Sequence, residues 1–290
     1  MLRTGIALLL ALVASPALAQ ERIALVAGGM ERQALLLAVR SPAPRPLLIL
    51  LHGRFGSGAQ VIRSSGLNPG AGFILAAPDG VQRSWADGRG ATPADRMGVD
   101  DVGFLRALVA TIAARHRLDP SRIYVAGHSN GGFMAARMGC EAADMVAGIA
   151  MVAASVGQSV AMRCRPARPV SALLIAGTAD PLVPFGGGIV RDGGPVLAAE
   201  AATRLFAARV GCGAGAPRAL PHAGPPDGTS ARMTDYAPCP GGTRVALIAI
   251  LGGGHGWPGG ATPMRARMAG PPSGAVEASA EIRRFFALGR

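Results

Sequence analysis

The chain reads as a single α/β domain, a mostly parallel central sheet with helices on both faces. Three observations predict it: short, continuously apolar runs recur along the sequence, several stop at a glycine-containing turn, and amphipathic helical segments lie between them. A strand that is apolar on both sides of its pleat is buried on both faces, as a parallel sheet covered by helices requires. At 290 residues, half of them hydrophobic, the chain can bury one sizeable core.

The elements follow in order. Residues 47–51 form the first run and end at His52-Gly53, and residues 73–77 end at Pro78-Asp79-Gly80. Over residues 100–115, Val102, Leu105, Leu108, Val109 and Ile112 share one helical face. The runs 123–126 and 170–176 end at Gly127 and Gly177. Residues 195–210 read as a helix, and the Pro/Gly-rich stretch 211–242 as an irregular excursion. Residues 245–251 run into Gly252-Gly253-Gly254, and a last helix over 275–288 buries Ala278, Ile282, Phe285 and Phe286. In such a sheet the binding crevice lies at the carboxyl ends of the strands, so the chemistry is expected just after these runs.

Residues 1–19 read as a secretory signal: Arg3 is a short basic start, 6–14 an apolar run, and Ala17-Leu18-Ala19 a small-x-small site that places cleavage before Gln20. The run is too short for about 30 Å of hydrocarbon, so no integral membrane association is expected. Residues 20–290 are the expected mature domain, secreted or periplasmic.

An oxidising destination makes pairs of the four cysteines, for which three connectivities exist. Proximity favours Cys140 with Cys164 and Cys212 with Cys239, each loop of roughly 25 residues contributing about 3 kcal/mol. No C-x-x-C spacing occurs, so no metal is expected.

The formal charge of +12 comes from arginine alone, 29 residues with no lysine. The arginines are spread along the chain without interleaved aromatics, so nucleic acid is not an expected partner; the charge reads as a solvated surface suited to anionic envelopes or polymers. A composition half hydrophobic with 42 glycines in no strict period excludes disorder and collagen-like fibres.

The most informative string is Gly127-His128-Ser129-Asn130-Gly131, a G-x-S-x-G between an apolar strand and a plausible helix. Glycines there allow a strained strand-to-helix turn that lifts the Ser129 hydroxyl above the sheet. A serine hydroxyl needs a base, and the base an orienting carboxylate. His52 and His116 precede the serine, His128 adjoins it and is expected to point away, and His222 sits among prolines. His255 alone follows a strand late in the chain and is the expected base. Asp180, at the end of the run 170–176, leads as the acid over Asp192, Asp227 and Asp235 in loops and Glu200 on a helix. The backbone N–H of Asn130 is one oxyanion donor, and that of Arg54, on the turn after Leu51, is the choice for the second.

These motifs resemble the secreted polyhydroxybutyrate depolymerase and feruloyl esterase group of α/β hydrolases, which also includes acetyl xylan esterases. The resemblance runs from about Arg45 to the C-terminus, through Leu51-His52-Gly53, Ser84-Trp85-Ala86-Asp87-Gly88-Arg89, Val99-Asp100-Asp101, Gly127-His128-Ser129-Asn130-Gly131-Gly132, Gly177-Thr178-Ala179-Asp180-Pro181 and Gly254-His255-Gly256-Trp257-Pro258. It implies an α/β-hydrolase fold with Ser129 as nucleophile, Asp180 as acid and His255 as base, supports both cysteine pairs, and places Trp257 at the substrate, with Trp85 as packing. Two positions depart from the group's pattern: Arg54 stands where many relatives carry Cys, and Gly256 where Thr is usual.

The expectation is an exported, monomeric serine esterase with no cofactor. Its substrate is a small-molecule or oligomeric ester, with 3-hydroxybutyrate-type oligomers first and feruloyl or acetyl xylan esters as the alternative. A peptidase on the same fold and a non-catalytic envelope-binding protein are the competing classes. Few aromatics are available for adsorption to solid polymer, which favours soluble esters.

Overall fold

The computed structural model describes residues 19–289 apart from 71, 191, 192, 262, 263 and 265. Residues 1–18 of the expected signal segment and the competing Asp192 lie outside the described residues, whereas Ala19, the last residue of that expected segment, begins the first strand.

The chain opens with a hairpin of β1 (Ala19–Ala27) and β2 (Met30–Ala38), then β3 (Arg45–Leu51), α1 (Gly58–Ser65), β4 (Ile74–Pro78), the short α2 (Pro93–Arg96) and α3 (Asp101–Ala113). It continues through β5 (Leu118–His128), α4 (Asn130–Glu141), β6 (Gly148–Val152), α5 (Gln158–Arg163) and β7 (Ser171–Gly177). A two-residue pair, β8 (Gly188–Ile189) and β9 (Pro195–Val196), precedes α6 (Ala199–Val210), β10 (Gly215–Leu220), β11 (Ser230–Tyr236), β12 (Val245–Leu251), α7 (Ala266–Ala269) and α8 (Ala278–Phe285).

Ten strands form one sheet in the order β1-β2-β4-β3-β5-β6-β7-β12-β11-β10. Strands β4 to β12 along that order pair in parallel, and antiparallel hairpins close both edges. The pleat of β3 shows why its run is apolar throughout. Leu47, Ile49 and Leu51 pack with Phe104, Phe133 and Phe206 of α3, α4 and α6, whereas Leu48 and Leu50 pack with Val61, Ile282 and Phe285 of α1 and α8. Two cores thus sandwich the sheet, and each fully buried leucine contributes about 1.5–3 kcal/mol.

Three differences from the sequence reading have physical causes. The stretch 211–242 is a sheet-extending hairpin rather than an irregular excursion: β10 is an exposed edge strand, so it carries no apolar run, and its register, Arg218 opposite Met233, comes from β11 pairing with β12. The helix expected from 195 begins at Ala199, because Pro195–Val196 pairs with β8 instead. The sequence reading lacks the hairpin β1–β2, which alternates in burial, and β6, whose apolar run continues into Ala153-Ala154 with no glycine turn to mark its end.

Both disulfides form with the proximal pairing. Cys140, near the end of α4, joins Cys164 after α5, and Cys212 after α6 joins Cys239 after β11.

Candidate active site

Ser129 sits between β5 and α4 with φ 53° and ψ −120°, a conformation that costs a residue with a Cβ and persists only where its surroundings impose it. They do so by close approach. A Cβ on Gly127 would stand 2.2 Å from the Gly131 carbonyl, and one on Gly131 would stand 2.4 Å from the Leu51 carbonyl oxygen. The Ser129 N–H donates to the Val152 carbonyl at 2.8 Å, and its own carbonyl accepts from Phe133 N–H at 3.0 Å to begin α4.

The carboxyl ends of β5, β7 and β12 bring three of the expected residues together. His255 Nε2 lies 2.8 Å from Ser129 Oγ, and His255 Nδ1 lies 2.7 Å from Asp180 Oδ2. Asp180 Oδ1 accepts from the N–H groups of Leu182 and Val183 at 2.8 and 2.9 Å, which aims Oδ2 at the imidazole. A carboxylate there accepts from Nδ1–H, so Nε2 carries the lone pair and the serine hydroxyl donates to it. The His255 backbone N–H donates to the Ala269 carbonyl at 2.5 Å, tying the expected base to α7. The competing acids are used elsewhere: Asp227 accepts from Thr229 and Gly274, Asp235 pairs with Arg218, and Glu200 with Arg204.

The turn after β3 faces Ser129. His52 is buried, its Nδ1–H donating to the Gly53 carbonyl at 2.8 Å and its Nε2 accepting from Gly80 N–H at 2.9 Å, a neutral pattern that burial enforces by lowering its pKa. The Trp85 indole donates to the His52 carbonyl at 2.9 Å, so this fully buried residue packs and pins the turn. Among the described residues no acceptor meets the Arg54 N–H, while that of Asn130, in the first turn of α4, has no intrahelical acceptor.

The Asn130 side chain turns away from the hydroxyl and is fixed. It accepts from Trp85 N–H at 2.8 Å and donates to the Trp85 carbonyl at 3.1 Å and to Asp87 Oδ2 at 2.6 Å. Burial pushes the Asp87 carboxyl up, and the Arg89 guanidinium, 2.7 Å away, opposes it.

Ser129 opens into a cavity of about 440 Å³ with apolar walls that include Phe133, Leu182, Val183, Val190, Met264 and Met268. Trp257 lines it too, with its indole donating to Ser279 Oγ at 3.0 Å, so the residue both borders the cavity and ties α8 to the site. His128 was expected to point away, and it does not. The twist at Ser129 leaves it lining the same cavity, with its ring 5.3 Å from that of His255 and 6.4 Å from Trp257. Burial and the neighbouring His255 lower its pKa to about 3.

A model described as the α/β hydrolase fold matches residues 46–194. The chain belongs to the α/β hydrolase fold family. This α/β hydrolase is 35% identical to "Putative esterase NocK" of Nocardia uniformis subsp. tsuyamanensis, over 79% of its own length and 70% of the other's. It is 35% identical to feruloyl esterase B of Piromyces equi over 72% of its own length, spanning 39% of that longer protein. Among solved structures, the acetyl xylan esterase from Aspergillus awamori superposes with a TM-score of 0.60 at 12% identity, covering 92% of this α/β hydrolase and 99% of that chain, a likeness of fold.

Proposed function

We propose that the chain is an exported serine esterase, and the observation that carries the reading is the hydrogen-bonded series Ser129–His255–Asp180, with contacts of 2.8 and 2.7 Å. Ser129 Oγ attacks the ester carbonyl while its proton passes to His255 Nε2. The tetrahedral oxyanion is held by the Asn130 and Arg54 N–H groups, and Asp180 stabilises the imidazolium. Collapse breaks the bond to the alcohol oxygen, which takes the proton from His255 and leaves an acyl-enzyme. Water, deprotonated by His255, then releases the acid and restores the serine.

Short hydroxyalkanoate oligomers of the 3-hydroxybutyrate type are the first substrate reading: the motif resemblance implies them, and the cavity that Ser129 opens into combines apolar walls with arginine in its lining. Feruloyl or acetyl xylan esters are the second, favoured by the names of the relatives. Export rests on the residues 1–19 pattern and on the two disulfides, which persist in oxidising compartments; no helix among the described residues is long and apolar enough to cross a membrane.

The test is hydrolysis of 3-hydroxybutyrate oligomers, methyl ferulate, acetylated xylan and p-nitrophenyl esters by the purified protein, beside Ser129→Ala. Turnover that falls by about 10⁴-fold or more in the variant, with loss of fluorophosphonate labelling, is the expected result. Unchanged turnover in Ser129→Ala rejects the mechanism.

A further inference from the structure

We propose that the Arg54 side chain binds a free carboxylate on the substrate, so that esters carrying one are preferred. The inference rests on the esterase reading above and deepens it by naming a substrate class.

The charge of the cavity leads to it. Its described lining contains two arginines, Arg54 and Arg89, and no Asp or Glu. Arg89 is already satisfied: it pairs with Asp87 at 2.7 Å, donates to the Gly193 carbonyl at 2.8 Å, and its guanidinium lies 3.8 Å from the Phe133 ring centre. Arg54 differs. Among the described residues no carboxylate lies within 4.0 Å of it, and its buried Nε has no hydrogen-bond partner. Its guanidinium carbon lies 4.8 Å from the centre of the neighbouring Phe55 ring.

Arg54 as a whole is half-buried, with only its Nε closed off from solvent and unpaired; an unmatched buried donor is unfavourable, and a planar carboxylate is the group whose two oxygens match a guanidinium edge. Position makes that carboxylate part of the substrate. Arg54 follows Gly53, which abuts the nucleophile so closely that a Cβ on it would stand 3.4 Å from Ser129 Cβ. Arg54 and Ser129 line the same cavity, so an ester whose carbonyl lies at Ser129 can present a carboxylate to Arg54. The backbone N–H of the same residue serves the oxyanion, so the side chain can be changed without removing that donor.

The carboxylate can belong to the acyl half or to the alcohol half, and two matched pairs separate these. Monomethyl glutarate against dimethyl glutarate tests the acyl side. The linear 3-hydroxybutyrate dimer as free acid against its methyl ester tests the alcohol side, scored by cleavage of the internal ester. The expected result is a kcat/KM at least about tenfold higher for the free acid in one pair, declining as salt is raised. Arg54→Gln should lower that acid-to-ester ratio about tenfold or more, and Arg54→Lys should restore part of it. Equal rates within both pairs, or a ratio unmoved in folded Arg54→Gln, overturns the inference while the esterase reading stands. No turnover of any of the four esters by a protein that cleaves p-nitrophenyl esters with Ser129 overturns the inference alone, and no Ser129-dependent turnover of p-nitrophenyl esters either overturns both. Should Arg54→Gln fail to fold, the wild-type preference and its salt dependence decide.

Discussion

Asn130 and Trp85 hold each other by two opposed hydrogen bonds: Trp85 N–H donates to Asn130 Oδ1 at 2.8 Å, and Asn130 Nδ2 donates back to the Trp85 carbonyl at 3.1 Å. The residue proposed to lend its N–H to the oxyanion is thus clamped by a loop 45 residues earlier in the chain. The same amide reaches Asp87 at 2.6 Å, so the clamp also satisfies a buried carboxylate.

Asn130→Ala removes that clamp and leaves Asp87 short of a donor. A loss of about 1–3 kcal/mol in unfolding free energy and a kcat lower by about one to two orders of magnitude are expected, with KM less affected. Urea titration and steady-state kinetics on a p-nitrophenyl ester measure both.

Asp180→Asn keeps the shape but offers an amide where His255 Nδ1–H needs an acceptor. The base is then held in the wrong tautomer, and kcat should fall by about 10⁴-fold with the fold retained. A variant with more than a tenth of wild-type activity would remove Asp180 from the mechanism.

His128 gives the protein an acid-sensitive element. Its pKa is about 3 in the folded chain and about 6.5 unfolded, so between these values the unfolded state binds the additional proton. Stability therefore rises with pH across that window and is lost as pH falls from about 6.5 toward 3. Buried His52 acts with the same sign, whereas Asp87 and Asp101, raised by burial, act with the opposite one. The unfolding free energy of the wild type, from urea titration, should drop between pH 7 and pH 4.5 more steeply than that of His128→Gln, by on the order of 1–3 kcal/mol. Parallel curves would show that the imidazole does not carry the effect.

The Cys140–Cys164 bridge spans 24 residues and joins α4, which carries the nucleophile turn, to α5. Replacing both cysteines by alanine should cost about 3 kcal/mol by the chain-entropy estimate, read as a lower thermal midpoint. Ser129-dependent activity at 25 °C should survive, because the three site residues are held by strands β5, β7 and β12 rather than by the bridge.

Much of the site was legible because its chemistry is written in local patterns. The glycines around Ser129 declare a tight turn, and the runs before Asp180 and His255 declare strand ends that a parallel sheet lines up on one edge. The β10–β11 hairpin was not legible, because an exposed edge strand has no apolar signature and gains its register only from its neighbour. Nor was the direction of His128, since adjacency to Ser129 says nothing about a backbone at φ 53°.

By itself, then, the sequence determined the strand runs, the nucleophile turn and the candidate residues of the site, all set by short-range sterics and burial. Only the tertiary structure decided that Ser129 meets His255 across 126 residues and His255 meets Asp180 across 75, that His128 joins the cavity, and that Arg54 faces it with no acidic neighbour among the described residues. Those relations depend on how packed elements aim side chains from distant segments at one point, and no local pattern encodes that aim.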